Sequence, residues 1–377
     1  GYEVATTVSY DSGNYIASFE KALEMVGYDD FREEQKEARD NGKLLGIGLS
    51  SYVEICGAAP SAVAGTLGAR AGLWESANVR IHMTGKVSVF TGSSAHGQGH
   101  ETAFAQIVSS ELGIPVEDID VIHGDTSQIQ MGTGSFGSRS AAVGGSAIHL
   151  STQKIKDKAR KLAAHILEAS EEDIVFEDGK LFVQGAPSEG KTIQEIALSS
   201  YYYTEDIPED MEPGLEAMSF FDPKNFTWPG GTHIAVVEID ELTGEVTLLR
   251  YIAVDDVGNV INPMIVDGMV HGGAAQGIGQ ALQEEAIYDD SGQLLTGSML
   301  DYAVPRAWDM PMYELDRTVT PSPVNPLGVK GAGETATIAG SPAVINAVVD
   351  ALSPYGVRHI DMPAKAEKVW RLIQNSN

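Results

Sequence analysis

One cysteine in 377 residues, Cys56, sets the first exclusion. A lone thiol forms no internal disulfide, thiolate zinc site or iron–sulfur cluster, since each needs several sulfurs. Its scarcity fits a reducing compartment. Basic residues are also few: 25 Lys and Arg stand against 53 Asp and Glu, a formal charge of −28. Nucleic acid and anionic membrane are excluded as main partners, because both require a basic patch to displace counterions. No run reaches the roughly 18 apolar residues of a membrane span, and no basic-then-apolar leader opens the chain. The expectation is a soluble, cytoplasmic protein. The first residue is Gly1 rather than Met, as in a processed chain or a part of something longer.

Glycine is what the chain holds in excess: 41 of 377 residues, about 11% where about 7% is usual. The glycines fall in tight clusters between well-patterned segments, which predicts backbone held close to a ligand. At roughly 100–200 residues per domain, the length predicts two or three domains.

Tyr15, Phe19, Leu23 and Val26 recur at helical spacing and stop at Gly27, as a helix C-terminus does. With the charged stretch Asp29 to Asp40, they predict a helical lead-in over residues 1–42. A first lobe is expected over 43–217, beginning with the apolar run Leu44 to Val53. Within it, strands turn at Thr84-Gly85 and at Asp178-Gly179. Helices are expected through Phe104, Ile107 and Leu112, through Ile155, Ala159 and Leu162, and after the capping box Thr192/Glu195. Tyr201 to Gly231, broken by Pro and Gly, reads as a long crossing connection. A second lobe is expected over 218–377. It repeats a Thr-Gly hairpin at Thr243-Gly244, and in both lobes a Gly-rich, Gln-bearing stretch and a helix follow. Ser341-Pro342 reads as an N-cap and first-turn pair. The fold class expected is α+β: two lobes with mixed β-sheets and helices.

Three Gly-rich clusters stand ahead of helices: Gly97-Gln98-Gly99-His100, the stretch Gly132 to Ser140, and Gly328 to Glu334. Free backbone N–H groups at such places hold anions. Gly331-x-Gly333-x-x-Ala336 matches a dinucleotide fingerprint with Asp350 downstream. The strand that must precede it is displaced by Pro321, Pro323 and Pro326, which argues against that fold. His96, His100 and Glu101 have metal-like spacing, but the intervening glycines disfavour a helix and no third ligand is evident, so they read as surface or loop residues. Glu334 has two readings. Among Leu327, Val329 and Ile338 it is a desolvated general base; otherwise it is an acid in a surface turn beside a helix.

Taken in order, Tyr10-Asp11-Ser12-Gly13, Gly97 to Thr102, Gly137-Ser138-Arg139-Ser140, Asn262-Pro263, His271 to Gly277, Lys330 to Glu334 and Asp361-Met362-Pro363 resemble the molybdenum hydroxylases. Within this xanthine oxidase and aldehyde oxidase superfamily the resemblance is to the C-terminal half of the large subunit of aerobic carbon monoxide dehydrogenase type, over essentially the whole chain. It implies a molybdopterin-binding fold and a molybdenum atom held by a pterin dithiolene, not directly by protein, with the pterin extended as a cytosine dinucleotide. It places Gln98 near the molybdenum ligands, with Gly97, Gly99 and His100 among the cofactor-binding residues, and Gln276 facing the pterin. Gly134, Ser135, Phe136, Gly137, Ser138, Arg139 and Ser140 would wrap the cofactor, Lys330, Gly331, Ala332 and Gly333 would offer backbone groups, and Glu334 would be the base. The implied reaction is hydroxylation of an aldehyde or N-heterocycle with oxygen from water, with carbon monoxide oxidation as the alternative. Implied partners are the N-terminal half of the large subunit, an iron–sulfur subunit and an FAD subunit, arranged as a dimer of heterotrimers. In the copper-containing dehydrogenases the copper-binding cysteine lies in that N-terminal half, and Cys56 reads instead as a buried small apolar residue. By itself the chain would be a cofactor-binding fragment without turnover.

Overall fold

The computed structural model describes residues 8–66, 68 and 70–375. In chain order its elements begin with α1 (Tyr15–Val26), α2 (Tyr28–Asp40), β1 (Leu44–Val53), α3 (Ser61–Thr66), β2 (Glu75–Ile81), β3 (Val87–Thr91), α4 (His100–Leu112) and β4 (Ile119–His123). Then come α5 (Ser146–Ile166), β5 (Ile174–Glu177), β6 (Lys180–Val183), β7 (Lys191–Thr192), α6 (Ile193–Tyr202) and β8 (Leu215–Phe221). The last are β9 (Gly230–Ile239), β10 (Val246–Asp256), α7 (Pro263–Leu282), β11 (Tyr313–Arg317), α8 (Thr335–Ala351) and α9 (Ala366–Gln374). Both expected Thr-Gly hairpins form, and the Thr192/Glu195 capping box closes as the sequence implies.

Two four-stranded sheets organise the chain, ordered β4-β3-β2-β8 and β1-β9-β10-β11. Each is mixed: β3 pairs β4 and β10 pairs β11 in parallel, while the other pairings are antiparallel. The repeat suspected in sequence is a structural one. A hairpin, a helix, a parallel strand and a second helix follow one another as β2-β3-α4-β4-α5 and as β9-β10-α7-β11-α8. The first sheet packs α4 and α5 through Val79, Val89, Phe104, Val108, Ile155 and Leu162.

The expected division at 42/43 and 217/218 differs from the sheets. β1 lies in the second sheet, paired with β9 from Leu44–Ile239 to Val53–Gly230. The described part of the lead-in goes with it: α1 and α2 cover one face of that sheet through Ala22, Val26 and Phe31, while α7, α8 and α9 cover the other. Arg32 of α2 bridges to Asp350 of α8 at 2.9 Å. A strand buried on both faces reads as a continuous apolar run, so its composition does not reveal which sheet receives it. Position 217/218 falls inside β8, a strand on the edge of the first sheet within the expected connection. Its polar, aromatic sequence lacks clean alternation.

Close packing of β1 on α8 depends on two glycines. A Cβ on Gly48 would lie 2.1 Å from the Ala343 carbonyl oxygen and the Ala347 nitrogen, and one on Gly46 would lie 2.1 Å from the Ala347 oxygen. The obstructing atoms are helix backbone, which cannot swing aside. Gly48→Ala is expected to cost about 1–3 kcal/mol through overpacking, read as a lowered urea midpoint with unchanged slope.

α8 corrects another expectation. It begins at Thr335 and carries Pro342 inside it. The Ser341 hydroxyl donates to the Gly277 carbonyl across the helix pair at 3.0 Å instead of capping its own helix. No strand stands immediately before the Gly331-x-Gly333 segment, in line with the argument against a dinucleotide fold. No described helix is long and apolar enough to cross a membrane.

Candidate functional site

The three Gly-rich clusters meet at one cavity of about 400 Å³. Its wall combines Gln98 and His100 at the start of α4, Ser135 to Ala141 ahead of α5, Ile265 and Met269 on α7, and Lys330 to Glu334 ahead of α8. Gly97 and Gly99 flank this wall at φ +95° and +74°, conformations that favour glycine. Gly134, at φ +89°, lines an adjoining hollow.

Glu334 occupies the N-cap position of α8 and is exposed. Its Oε2 accepts the Ser138 hydroxyl at 2.7 Å. The apolar enclosure expected from Leu327, Val329 and Ile338 is not built around it: Val329 is buried beneath the loop and Ile338 is exposed. Ser138 reaches Glu334 from a left-handed backbone (φ +46°) that follows Gly137 at φ +52°, an uncommon conformation for a residue with a Cβ.

The wrapping loop is held from inside. Ser135 Oγ donates to the Ser94 carbonyl at 2.8 Å and lies 2.6 Å from Ser140 Oγ, tying the first two clusters together. Arg139, a lining residue of the cavity, is 1% exposed, and its guanidinium is held beneath the loop. It pairs with Glu75 Oε2 at 2.8 Å and donates to the carbonyls of Gly134 at 2.7 Å, Ala58 at 3.0 Å and Leu73. Burial pushes the Glu75 carboxyl up, opposed by the Arg139 charge. The Phe136 ring, half-exposed at the cavity, lies 5.3 Å from that guanidinium.

Lys330 is likewise a strut. Its buried ammonium donates to Thr320 Oγ1 at 2.9 Å and the Ser12 carbonyl at 3.2 Å, with Asp256 Oδ1 at 3.5 Å. Gly331 admits no Cβ, which would lie 2.5 Å from Ser138 Cβ and 2.6 Å from Cys56 Sγ. Among the described residues the backbone N–H groups of Gly331, Ala332 and Gly333 have no hydrogen-bond partner. They leave a row of donors in the wall, which at Gly331 leaves no room for a Cβ.

His100 departs from the surface or loop reading. It is buried and stacked on Phe104 at 4.8 Å, and burial pushes its pKa down to about 4, so the ring is neutral near pH 7. His96 is exposed and Glu101 bonds His123 at 2.9 Å instead. Among the described residues no group of three or more His, Cys, Asp or Glu is disposed to hold a metal ion. Gln98 is fixed by its own loop, accepting from the His96 N–H and donating to the Ser94 carbonyl at 3.1 Å.

Gln276 is not brought to this cavity. It lies on an exposed face of α7, roughly two turns beyond Met269. Gly273 and Gly277 beside it serve helix packing: a Cβ on Gly277 would lie 3.0 Å from Gly340 Cα of α8, and one on Gly273 3.0 Å from Ala336 Cβ. Asn262-Pro263 starts α7, with Asn262 Oδ1 accepting from the Ile265 N–H at 3.0 Å. The sequence reading missed Glu54, buried at the end of β1, and gave Cys56 no place at the site. Cys56 is indeed buried, but it lies directly beneath Gly331. No local pattern announces the Cys56 contact, which pairs segments some 275 residues apart.

The molybdopterin cofactor-binding domain family matches residues 21–311. The carbon monoxide dehydrogenase large chain of Hydrogenophaga pseudoflava is 43% identical over 98% of this chain and 46% of its own length. Among solved structures, reconstituted CO dehydrogenase from Oligotropha carboxidovorans superposes with TM-score 0.94 at 41% identity, over 100% of this chain and 47% of that one. Quinoline 2-oxidoreductase from Pseudomonas putida 86 gives 0.93 at 39% identity, over 99% and 47%. The chain thus spans somewhat less than half the length of these relatives.

Proposed function

Because this chain belongs to the molybdenum hydroxylase family, as a molybdopterin-binding large-subunit sequence of the carbon monoxide dehydrogenase type, we propose that its cavity holds a molybdenum pterin in cytosine dinucleotide form. Glu334 is then the general base for hydroxylation of an aldehyde or N-heterocycle. When bound, the molybdenum cofactor supplies the oxidising power, taking two electrons from the substrate while water supplies the oxygen.

The carrying observation is Glu334, the one exposed carboxylate lining the cavity among the described residues, at the point where the Gly-rich loops converge. With Ser138 donating to Oε2, Oε1 remains to take a proton from the attacking oxygen nucleophile, the task of a base within hydrogen-bond reach. The wall suits the cofactor: unpartnered N–H groups at Gly331 to Gly333 meet polar pterin edges, and helix starts at α4 and α8 favour phosphate. Gly97, Gln98, Gly99, His100 and the 134–140 loop complete the cradle, with Arg139 and Lys330 bracing it from behind. Phe136, Ile265 and Met269 offer an apolar side to a flat ring. The preceding half of the large subunit closes the cavity. One cysteine cannot build an iron–sulfur relay, so electrons leave through iron–sulfur and FAD subunits in a dimer of heterotrimers.

Carbon monoxide oxidation is the second reading, favoured by the 43% identity to a carbon monoxide dehydrogenase large chain. In the complex assembled with the preceding half and partner subunits, metal and pterin analysis should find stoichiometric molybdenum with pterin cytosine dinucleotide. An aldehyde or N-heterocycle should reduce an electron-accepting dye. Reduction by carbon monoxide alone transfers the assignment to the second reading, and a complex without molybdenum overturns both.

A further inference from the structure

We propose that the segment between α7 and β11, residues 283–312, is a docking surface for the remainder of the large subunit, on a face separate from the cavity. The inference needs this chain to be part of a longer large subunit, as the lengths of its relatives imply, and does not depend on the chemistry at Glu334. Leu300 is 93% exposed, Met312 89% and Trp308 77%, and Tyr288, Leu295 and Met299 are exposed beside them in the same segment. Apolar side chains scattered singly on a surface need no explanation, but their concentration marks an interaction surface. Aromatic, methionine and arginine side chains are what the centres of protein interfaces hold. Here the Arg306 guanidinium lies over the Trp308 ring, 5.2 Å from its centre.

The segment is shaped by polar contacts. Tyr288 bridges to Leu294, the Leu295 N–H donates to the Ile287 carbonyl at 2.7 Å, and Asp289 Oδ1 accepts from the Ser291 and Gln293 N–H groups, each at 2.9 Å. The Tyr302 hydroxyl donates to Glu284 Oε2 at 2.7 Å, Lys365 pairs with Glu285 at 2.7 Å, and Pro305 fills the space a Cβ on Gly279 would need. With its large apolar side chains outside, the segment gains little burial of its own to offset the entropy of ordering it. A second surface supplies that burial. It is not the mouth of the cavity, because α7 lines the cavity at Met269 and ends at Leu282, about 20 Å further along its axis. Two observations choose the occupant. Six carboxylates between Glu284 and Asp309 stand against Arg306 alone, a formal charge of −5, so two copies meeting through this face would set like charge against like. The complement is instead an apolar groove bordered by Lys and Arg. The relatives also carry more than half of their length outside the matched region. A separate subunit would leave the apolar face bare until assembly, an aggregation liability, whereas another part of the same polypeptide covers it as the chain folds.

The test uses the full-length large subunit in its assembled complex, with the photo-reactive substitution Leu300→p-benzoylphenylalanine and, separately, Met312→p-benzoylphenylalanine. Illumination should form a cross-link that leaves the large-subunit mass unchanged on a denaturing gel. Peptide mass spectrometry should place its far end outside residues 1–377, beside Lys or Arg. A cross-link that doubles the large-subunit mass, one that adds the mass of another subunit, one that lands within residues 1–377, or none at all overturns the proposal. Hydrogen exchange of the same complex is the second measurement. Amides of residues 287–312 should be protected in the wild type and exchange about thirtyfold faster in Leu300→Asp and Trp308→Ala, the effect of losing a central interface contact. Exchange that is unprotected in the wild type, or indifferent to both substitutions, overturns the proposal. If either variant fails to assemble, the cross-links carry the decision. Hydroxylase activity is not a readout here, so failure of the proposed reaction leaves the docking result standing.

Discussion

Glu334→Gln in the assembled enzyme is expected to lower kcat by about 10²–10⁴-fold, the usual contribution of a positioned general base. Molybdenum and pterin content should stay near the wild-type level. The amide keeps the size of the carboxylate and an oxygen able to accept from Ser138, the only side chain hydrogen-bonded to Glu334 among the described residues. What it loses is an oxygen that can take a proton. Because Glu334 is exposed at the cavity wall rather than built into the packing, fold stability should barely respond. Full turnover by a Glu334→Gln enzyme with normal metal content would remove Glu334 from its role as base. Loss of molybdenum along with activity would make Glu334 a cofactor-holding residue instead.

Arg139→Met should give the largest change in stability, about 3–5 kcal/mol, the cost of removing one partner from a buried ion pair. Both side chains are 0% exposed, so Glu75 would be left as a buried, uncompensated carboxylate. Glu75 Oε1 occupies space that a Cβ on Gly92 or Gly132 would enter, 2.3–2.4 Å away, and that oxygen has no hydrogen-bond partner of its own among the described residues. The same substitution frees the carbonyls of Ala58, Leu73 and Gly134 from their shared donor. The 134–140 loop then loses its anchor, and cofactor content should drop with stability. Denaturant unfolding and metal analysis of the same preparation check both. Pairing Arg139→Met with Glu75→Leu should recover a substantial part of the lost stability, since an apolar pair leaves no orphaned charge. If the double variant is as unstable as the single one, the loss lies in the carbonyl contacts of Arg139 rather than in its charge.

These two substitutions separate roles that look alike in sequence. Arg139 and Glu334 both sit in Gly-rich stretches and both carry charge, but one is exposed at the cavity and the other is 1% exposed and internally paired. Likewise the glycines of His271 to Gly277 resemble those of Lys330 to Gly333. Of the former, Gly273 and Gly277 let α7 approach α8, whereas the latter shape a loop with unpartnered N–H groups. Glycine at a close approach reports that something is near, and only the surrounding fold says whether it is a ligand or another helix.

The sequence by itself determined the local elements whose causes are local. The helix stop at Gly27, the two Thr-Gly hairpins, the Thr192/Glu195 capping box and the Gly-rich loops ahead of α4 and α8 all rest on residues a few positions apart. It also carried the family, because many short motifs in one order are specific where each alone is weak. Tertiary structure alone decided which sheet receives β1, since a run buried on both faces has the same composition in either sheet. It alone paired the buried charges of Arg139 and Lys330 within the protein, set Gln276 apart from the cavity, and brought Cys56 beneath a loop some 275 residues away. Those outcomes depend on burial and on pairings distant along the chain, and residue order constrains such pairings only through the completed fold.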